Sequence, residues 1–184
     1  METELTDGVG RMLAERACER LIVEFGRRLD LGEPGEAAEL FTEDGVWEWA
    51  AGERRIEGRA ALRAYFDGRP ADRLSRRVAS NILVTVASPA LARATSYFQT
   101  YRVDGHTADP VPARPPVQVG HYEDTFRRAD GRWLLARRNL FLAFAGPTDR
   151  LGGPTDRLGG PTDRLGGPTD RLAAGDRLAG SGGA

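Results

Sequence analysis

The chain has 184 residues, of which 26 are basic and 27 acidic, so its formal net charge is −1. This balance argues against a nucleic-acid-binding surface, and the basic residues, all of them arginine, form no cluster that would select an anionic membrane. No apolar stretch reaches the roughly 18 residues that a membrane-spanning helix needs. Because the amino terminus also lacks the basic and apolar regions of a signal peptide, we expect a cytoplasmic protein.

The first predicted element is a long amphipathic helix. From Val9 the apolar residues recur at every fourth position, which aligns them along one helical face, and Gly32 supplies a C-terminal stop. We expect residues 1–8 to be frayed. Cys18 falls in the apolar stripe, so we interpret it as a small buried hydrophobe rather than a nucleophile.

The middle of the chain alternates between short helices and strands. A second, short helix is predicted to begin at Pro34, and Asp44-Gly45 is predicted to turn the chain into the first strand. The further elements predicted are strands at 46–49 and 54–57, a helix at 59–66, and long strands at 76–87 and 91–103. Residues 104–116 hold four prolines and no periodicity, so this loop is a candidate lid or rim over a site.

A long hairpin closes the predicted domain. Residues 117–128 and 132–144 each alternate with period two, and Asp130-Gly131 between them is a strong signal for a tight hairpin turn. Alternation places His121 on the face opposite Tyr122. Both faces carry large apolar groups, which indicates a hairpin covered on both sides.

The composition changes at Gly146, where the heptapeptide GPTDRLG begins to repeat. Each unit offers one leucine, and its proline interrupts any helix, so a coiled coil is not expected. We predict that residues 146–184 form a disordered tail that contributes nothing to the core. Residues 9–145 then suit a single domain.

Six short motifs occur in order along this domain: FTEDGVW at 41–47, EGRAAL at 57–62, ASNI at 79–82, ATSYF at 94–98, GHYED at 120–124 and DGRW at 130–133. The ordered set resembles the SnoaL-like branch of the nuclear-transport-factor-2-like superfamily. The resemblance implies an α+β cone, in which a curled mixed sheet wraps round a long N-terminal helix. Polyketide cyclases, scytalone dehydratase, a dehydrochlorinase and the small subunits of ring-hydroxylating dioxygenases share this pattern, so it predicts fold more sharply than function.

The resemblance also places candidate catalytic residues. The dehydratase and dehydrochlorinase members use an Asp–His dyad, and Asp30 stands at the position of the aspartate. Arg77, four residues before Asn81, occupies the histidine position, and arginine cannot act as a general base because it stays protonated. Arg138 matches an arginine that lines the dehydrochlorinase pocket. Asp30 and the two arginines are therefore the candidate catalytic set, with a purely structural ion pair as the alternative.

The expected ligand is a small hydrophobic molecule, polyketide-like or aromatic. Six aromatic residues are candidates to line its pocket, or else simply to fill the core: Phe25, Trp47, Trp49, Phe66, Phe98 and Tyr122. No metal or cofactor motif occurs, so any chemistry should be cofactor-free proton transfer of the lyase, isomerase or cyclase type. The alternatives are a non-catalytic binding or partner protein of the same fold and a dioxygenase-small-subunit-like structural role. We also expect a homo-oligomer, a dimer or trimer formed through the convex sheet face.

Overall fold

The computed structural model describes residues 2–107 and 110–146, with side chains described from Gly8 onward. The heptapeptide repeats, and with them the prediction of a disordered tail, lie outside the described residues.

The helices occupy the first part of the domain. Helix α1 spans Glu2–Leu31, a 3₁₀ helix spans Pro34–Leu40, a single 3₁₀ turn spans Ala50–Gly52, and helix α2 spans Arg59–Asp67. Helix α1 begins seven residues before its predicted start at Val9. The acidic residues that precede Val9 favour a helix N-terminus, which accounts for the longer helix. The second predicted helix is a 3₁₀ helix that buries Ala37, Ala38 and Leu40.

Six strands form one mixed sheet: β1 (Phe41–Trp49), β2 (Arg54–Glu57), β3 (Leu74–Ser88), β4 (Leu91–Val103), β5 (Gln118–Ala129) and β6 (Arg132–Ala145). Their order across the sheet is β2-β1-β6-β5-β4-β3. Neighbouring strands are antiparallel except β1 and β6, which are parallel. The α+β cone with a curled mixed sheet is thus confirmed.

Strand β1 is longer than predicted. It starts at Phe41, which pairs with Leu135 of β6, and its register shifts between Phe41 and Val46. Asp44-Gly45 is therefore an irregularity within the strand rather than a turn that precedes it.

The predicted hairpin turn joins β5 to β6. Asp130 and Gly131 both have positive φ, 50° and 75°, as a type I′ turn requires.

A bulge in β6 changes which of its side chains face the core. Thr125 pairs with Arg137 whereas Phe126 pairs with Leu135, so Ala136 is inserted between two paired positions. Leu135 and Arg138 consequently both lie inside and are both fully buried. Strict alternation would place positions 135 and 138 on opposite faces, but it holds only in a strand without a bulge.

The core lies between α1 and the concave face of the sheet. Helix α1 contributes Cys18, Ile22, Phe25 and Leu29, which are all buried. The sheet residues packed in the same cluster include Phe98, Tyr122, Phe126, Leu135 and Leu140. Within the described part of the chain, no helix is long and apolar enough to cross a membrane.

Candidate functional site

A cavity opens on the concave side of the sheet, beside the C-terminal half of α1. Its volume is about 70 Å³, and one end is apolar whereas the other is polar. The apolar wall consists of Phe25, Leu29, Trp47, Tyr65, Phe66, Phe98, Tyr122 and Leu140. Five of the six aromatic residues expected in the pocket are in this wall.

Trp49 is the exception. It is only partly buried, packs against the margin of the core and is not among the residues that line the cavity. Position 49 ends β1, where the strand leaves the sheet for the 3₁₀ turn at Ala50.

The polar end is built across three strands. Arg77 pairs with Thr100, and Thr100 pairs with Gln118, so these residues form one row on the cavity face. Arg102, two residues beyond Thr100 on the same face, and Arg73, just before β3, complete the polar lining. The guanidinium-bearing side chains of Arg73, Arg77 and Arg102 are only 6%, 16% and 9% exposed.

Asp30 lies in the last turn of α1, next to this polar row, and its carboxylate is held by three donors. Its carboxylate accepts hydrogen bonds from the backbone N–H of Arg77 at 2.5 Å and from the Ser75 hydroxyl at 2.7 Å. The Arg77 guanidinium forms an ion pair with the same carboxylate, whose side chain is 5% exposed. Asp30 therefore pairs with Arg77, which occupies the histidine position of the Asp–His dyad. Asp30 itself is not among the residues that line the cavity.

Ser75 extends this cluster. The Arg69 guanidinium donates to its hydroxyl oxygen at 2.6 Å, and the Arg77 guanidinium donates to the same oxygen at 3.3 Å. Ser75 is buried, so the two guanidinium groups that donate to its hydroxyl oxygen polarise the hydroxyl and strengthen the hydrogen bond that it donates to Asp30.

Arg138 has a different partner. Its Nε and Nη2 donate to the two carboxylate oxygens of Asp124 at 2.8 and 2.7 Å, and both side chains are fully buried. Its guanidinium also lies 4.4 Å from the ring centres of both Phe25 and Tyr122. Burial acts to lower the pKa of Arg138, but Asp124 more than offsets it, so this pKa is raised.

Arg138 and Arg77 nevertheless border one crevice. This second cavity lies beside the first and shares with it the rings of Phe25, Phe98 and Tyr122. Among the described residues, Nη1 of Arg138 has no hydrogen-bond partner.

Tyr122 lines both cavities. It stacks on Phe98 with ring centres 4.5 Å apart and meets Phe25 edge-on at 6.4 Å. Burial raises the pKa of the Tyr122 hydroxyl, although Arg138 and Arg77 oppose this effect. The hydroxyl thus stays protonated at neutral pH and is a hydrogen-bond donor.

Cys18 and His121 lie away from the cavity lining. Burial, reinforced by the charge of Asp124, raises the pKa of the Cys18 thiol to about 12, which makes it unreactive at neutral pH. His121 stacks on Phe141 at 4.7 Å on the outer face of the sheet. Within residues 2–107 and 110–146, no three His, Cys, Asp or Glu side chains are grouped as metal ligands.

Sequence reasoning did not single out several members of this region, among them the polar residues Arg73, Ser75, Arg102 and Asp124. Two of them could have been found from strand alternation, because Arg102 lies on the same strand face as Phe98 and Asp124 lies on the same strand face as Tyr122. Arg73 and Ser75 flank Leu74, where β3 begins two residues earlier than predicted.

The fold and this cavity define a cone-shaped α+β domain with an aromatic wall and an arginine-rich end. The model for the SnoaL-like domain family matches residues 10–139. The chain belongs to this family.

Solved structures agree with the assignment. A candidate scytalone dehydratase from Novosphingobium aromaticivorans is 27% identical, with a TM-score of 0.61 over 72% of this chain and 86% of that one. An NTF2-like protein with a cystatin-like fold from the same organism is 28% identical, with a TM-score of 0.63 over 77% and 89%. ActVI-ORFA from Streptomyces coelicolor is 25% identical, with a TM-score of 0.60 over 72% and 97%. A comparison with curated proteins finds no match.

Proposed function

We propose that the chain binds a small hydrophobic compound in the cone cavity. The observation that carries this proposal is the aromatic wall, in which Phe25 and Phe98 both contact Tyr122 at the boundary of the space. Burying apolar ligand surface against such a wall contributes roughly 25 cal/mol per Å². The volume of about 70 Å³ favours a ligand of single-ring size.

A pair of matched substitutions on α1 tests this proposal. Leu29 lines the cavity, whereas Leu31, two residues further on, is 65% exposed. Leu29→Trp should fill the space and abolish binding of a neutral single-ring probe such as phenol, measured by titration calorimetry. Leu31→Trp should bind phenol as the unmodified chain does.

Two results would contradict the proposal: no binding of phenol by the unmodified chain, or equal binding by Leu29→Trp. Should Leu29→Trp fail to fold, as judged by circular dichroism, Leu140→Phe offers a second way to fill the cavity from the sheet side.

A second candidate function is a cofactor-free lyase, isomerase or cyclase. The observation in its favour is the 27% identity to a candidate scytalone dehydratase. Asp30 would accept a proton from carbon while Arg77 and Arg138 stabilise the developing oxyanion. This function ranks second because the Asp30 carboxylate already accepts three hydrogen bonds and lies outside the cavity lining, so its pair with Arg77 would have to rearrange first.

Substitution at position 77 separates the two functions. Arg77→His restores a side chain that can exchange protons, so an enzyme should release water faster from a β-hydroxy ketone, and Asp30→Asn should suppress that reaction. A binding protein should show no turnover with either variant or with the unmodified chain.

We also propose that the domain self-associates through the outer face of its sheet. Tyr97, His121 and Phe141 are directly opposed across β4, β5 and β6 and point away from the core. Tyr97 is 55% exposed and Phe144, on the same face, is 71% exposed. A row of exposed aromatic side chains on a sheet is the kind of surface that a second copy covers.

A further inference from the structure

We propose that the second cavity binds the carbonyl oxygen of the ligand, with the Arg138 guanidinium and the Tyr122 hydroxyl as its two hydrogen-bond donors. The compound taken up is then a small, neutral aromatic ketone or aldehyde. This inference rests on the proposed function and deepens it by naming the class of ligand. It follows from two fixed donors beside one cavity to which the described part of the chain supplies no acceptor.

The first donor is a guanidinium group held in one orientation. Asp124 accepts hydrogen bonds from Nε and Nη2 of Arg138, which fixes the plane of the group. The rings of Phe25 and Tyr122 contact it as well, each with its centre 4.4 Å away. The remaining nitrogen, Nη1, is buried without a hydrogen-bond partner among the described residues, and Arg138 borders the second cavity. Because buried donors are normally paired, Nη1 indicates an acceptor that comes from outside the chain.

The Tyr122 hydroxyl is the second donor. Its ring is fixed by stacking on Phe98 and by the Arg138 guanidinium. Tyr122 lines both cavities, and within residues 2–107 and 110–146 its hydroxyl forms no hydrogen bond. Burial raises the pKa of this hydroxyl, so it keeps its proton and can donate it at neutral pH.

The charges around these donors favour a neutral acceptor over an anion. The charged residues among those described in the lining of the second cavity are Arg77 and Arg138. Each already pairs with a carboxylate of its own, Asp30 for Arg77 and Asp124 for Arg138. An anion at Nη1 would therefore be a buried negative charge without compensation, which is costly. A carbonyl oxygen accepts two hydrogen bonds and adds no charge.

The rest of the second cavity suits the ring of such a compound. Its volume is about 100 Å³, and apart from Arg77, Arg138 and the Tyr122 hydroxyl its described lining offers no polar side chain. The rings of Phe25 and Phe98 border this cavity and the first one alike. A ligand ring can therefore bury apolar surface against the same aromatic side chains that carry the proposed function.

Acetophenone and α-methylstyrene form a matched pair of probes, since the carbonyl oxygen of the first is a methylene group in the second. Titration calorimetry of the full chain should show that Tyr122→Phe weakens acetophenone binding about three- to tenfold, the size of one hydrogen bond. The same variant should leave α-methylstyrene binding unchanged, because that probe has no acceptor. Tyr101→Phe, at a tyrosine that lines neither cavity, is the matched control and should change neither affinity.

The carbonyl stretching frequency of bound acetophenone reports on both donors. Hydrogen bonds to the oxygen lower this frequency, and a charged donor in a dry cavity polarises the carbonyl more than water does. The infrared band of the complex should therefore lie below the band of acetophenone in water. In Tyr122→Phe the band should rise only part of the way toward its position in hexane, because Arg138 still donates.

The outcomes distinguish this inference from the proposed function. Equal effects of Tyr122→Phe on both probes, or tighter binding of benzoate than of acetophenone, would overturn the carbonyl site, whereas binding of phenol would still support the aromatic pocket. Binding of neither phenol nor acetophenone by the unmodified chain would overturn both. If Tyr122→Phe does not fold, as judged by circular dichroism, the infrared band of the unmodified complex decides the result, and a band at or above its position in water would overturn the carbonyl site.

Discussion

Arg138 and Asp124 face each other across β6 and β5 as a two-pronged ion pair, with both side chains fully buried. Asp124→Asn would leave a buried guanidinium uncompensated. We expect the free energy of unfolding to fall by about 3–5 kcal/mol, measured by urea denaturation. Asp44→Asn removes an exposed pair with Arg127 and should change it by no more than about 0.5 kcal/mol. If both variants lost similar amounts of free energy of unfolding, burial would not determine how much an ion pair contributes to the stability of this domain.

The ion pair of Asp30 with Arg77 is less buried and should contribute less. Asp30→Asn leaves Arg77 without its carboxylate, so we expect a loss of about 1–3 kcal/mol in the free energy of unfolding. Glu33→Gln, at an exposed acid just beyond α1, is the matched control and should have no measurable effect. An Asp30→Asn variant as stable as the unmodified chain would mean that the cluster around Ser75 holds Arg77 on its own.

Burial of the Cys18 thiol should make the free energy of unfolding depend on pH. Burial raises the pKa of its thiol from 9.0 to about 12, so the unfolded chain releases this proton at a lower pH than the folded one. The stabilisation is fully present below pH 9 and is lost as the pH rises toward 12, with a slope of at most about 1.4 kcal/mol per pH unit. Denaturation of the unmodified chain and of Cys18→Ala at several alkaline pH values isolates this contribution, because other titrating groups cancel. If the free energy of unfolding changed with pH in the same way for both proteins, the expected contribution of Cys18 would be contradicted.

Self-association should depend on the outer sheet face. Tyr97→Glu places a charge in the centre of the exposed aromatic row and should convert the proposed oligomer into a monomer. Light scattering coupled to size exclusion measures the mass. Leu31→Glu, at an equally exposed apolar residue on α1, should leave the mass unchanged. A monomeric unmodified chain at micromolar concentration would refute the proposal.

The repeat region should be dispensable for folding. Gly146 still contributes to the domain, since its N–H donates to the Val117 carbonyl at 2.8 Å, so truncation is best placed after it. The melting temperature of residues 1–146 should equal that of the full chain within error, because the repeats offer too little apolar surface to offset the entropy of ordering them. A drop of several degrees would indicate that the repeats pack on the domain.

Much of the fold was predictable, because period-two alternation and an Asp-Gly turn are local signals. The helix face of Phe25 and Leu29, the boundaries of β4 and the hairpin turn all follow from such patterns. The bulge at Ala136 did not, since no residue type marks it and only the pairing with β5 reveals it.

The candidate site was predictable only in part. The approach of Arg77 to Asp30 agrees with the expected placement of the dyad positions. The pairing of Arg138 with Asp124 depends on cross-strand register, which a single sequence does not determine. Asp104 pairs with both Arg102 and Arg73. The pair with Arg73 joins the end of β4 to the segment before β3, about thirty residues away in the sequence, and such distant contacts are not readable from a local pattern.

The parallel contact between β1 and β6 has a consequence for how the chain assembles. Phe41 is synthesised early, yet its partner Leu135 lies almost at the end of the domain, so the sheet cannot be completed until nearly the whole domain exists. Until then the apolar side chains of β1 lack their cover, and partly formed sheets of this kind associate with one another. Strand β2 guards the outer edge of β1 during that interval, since it is only four residues long and carries Arg54, Arg55 and Glu57. The least apolar strand of the sheet thus blocks one edge of β1 from pairing with neighbouring chains, whereas the other edge stays open until β6 is made.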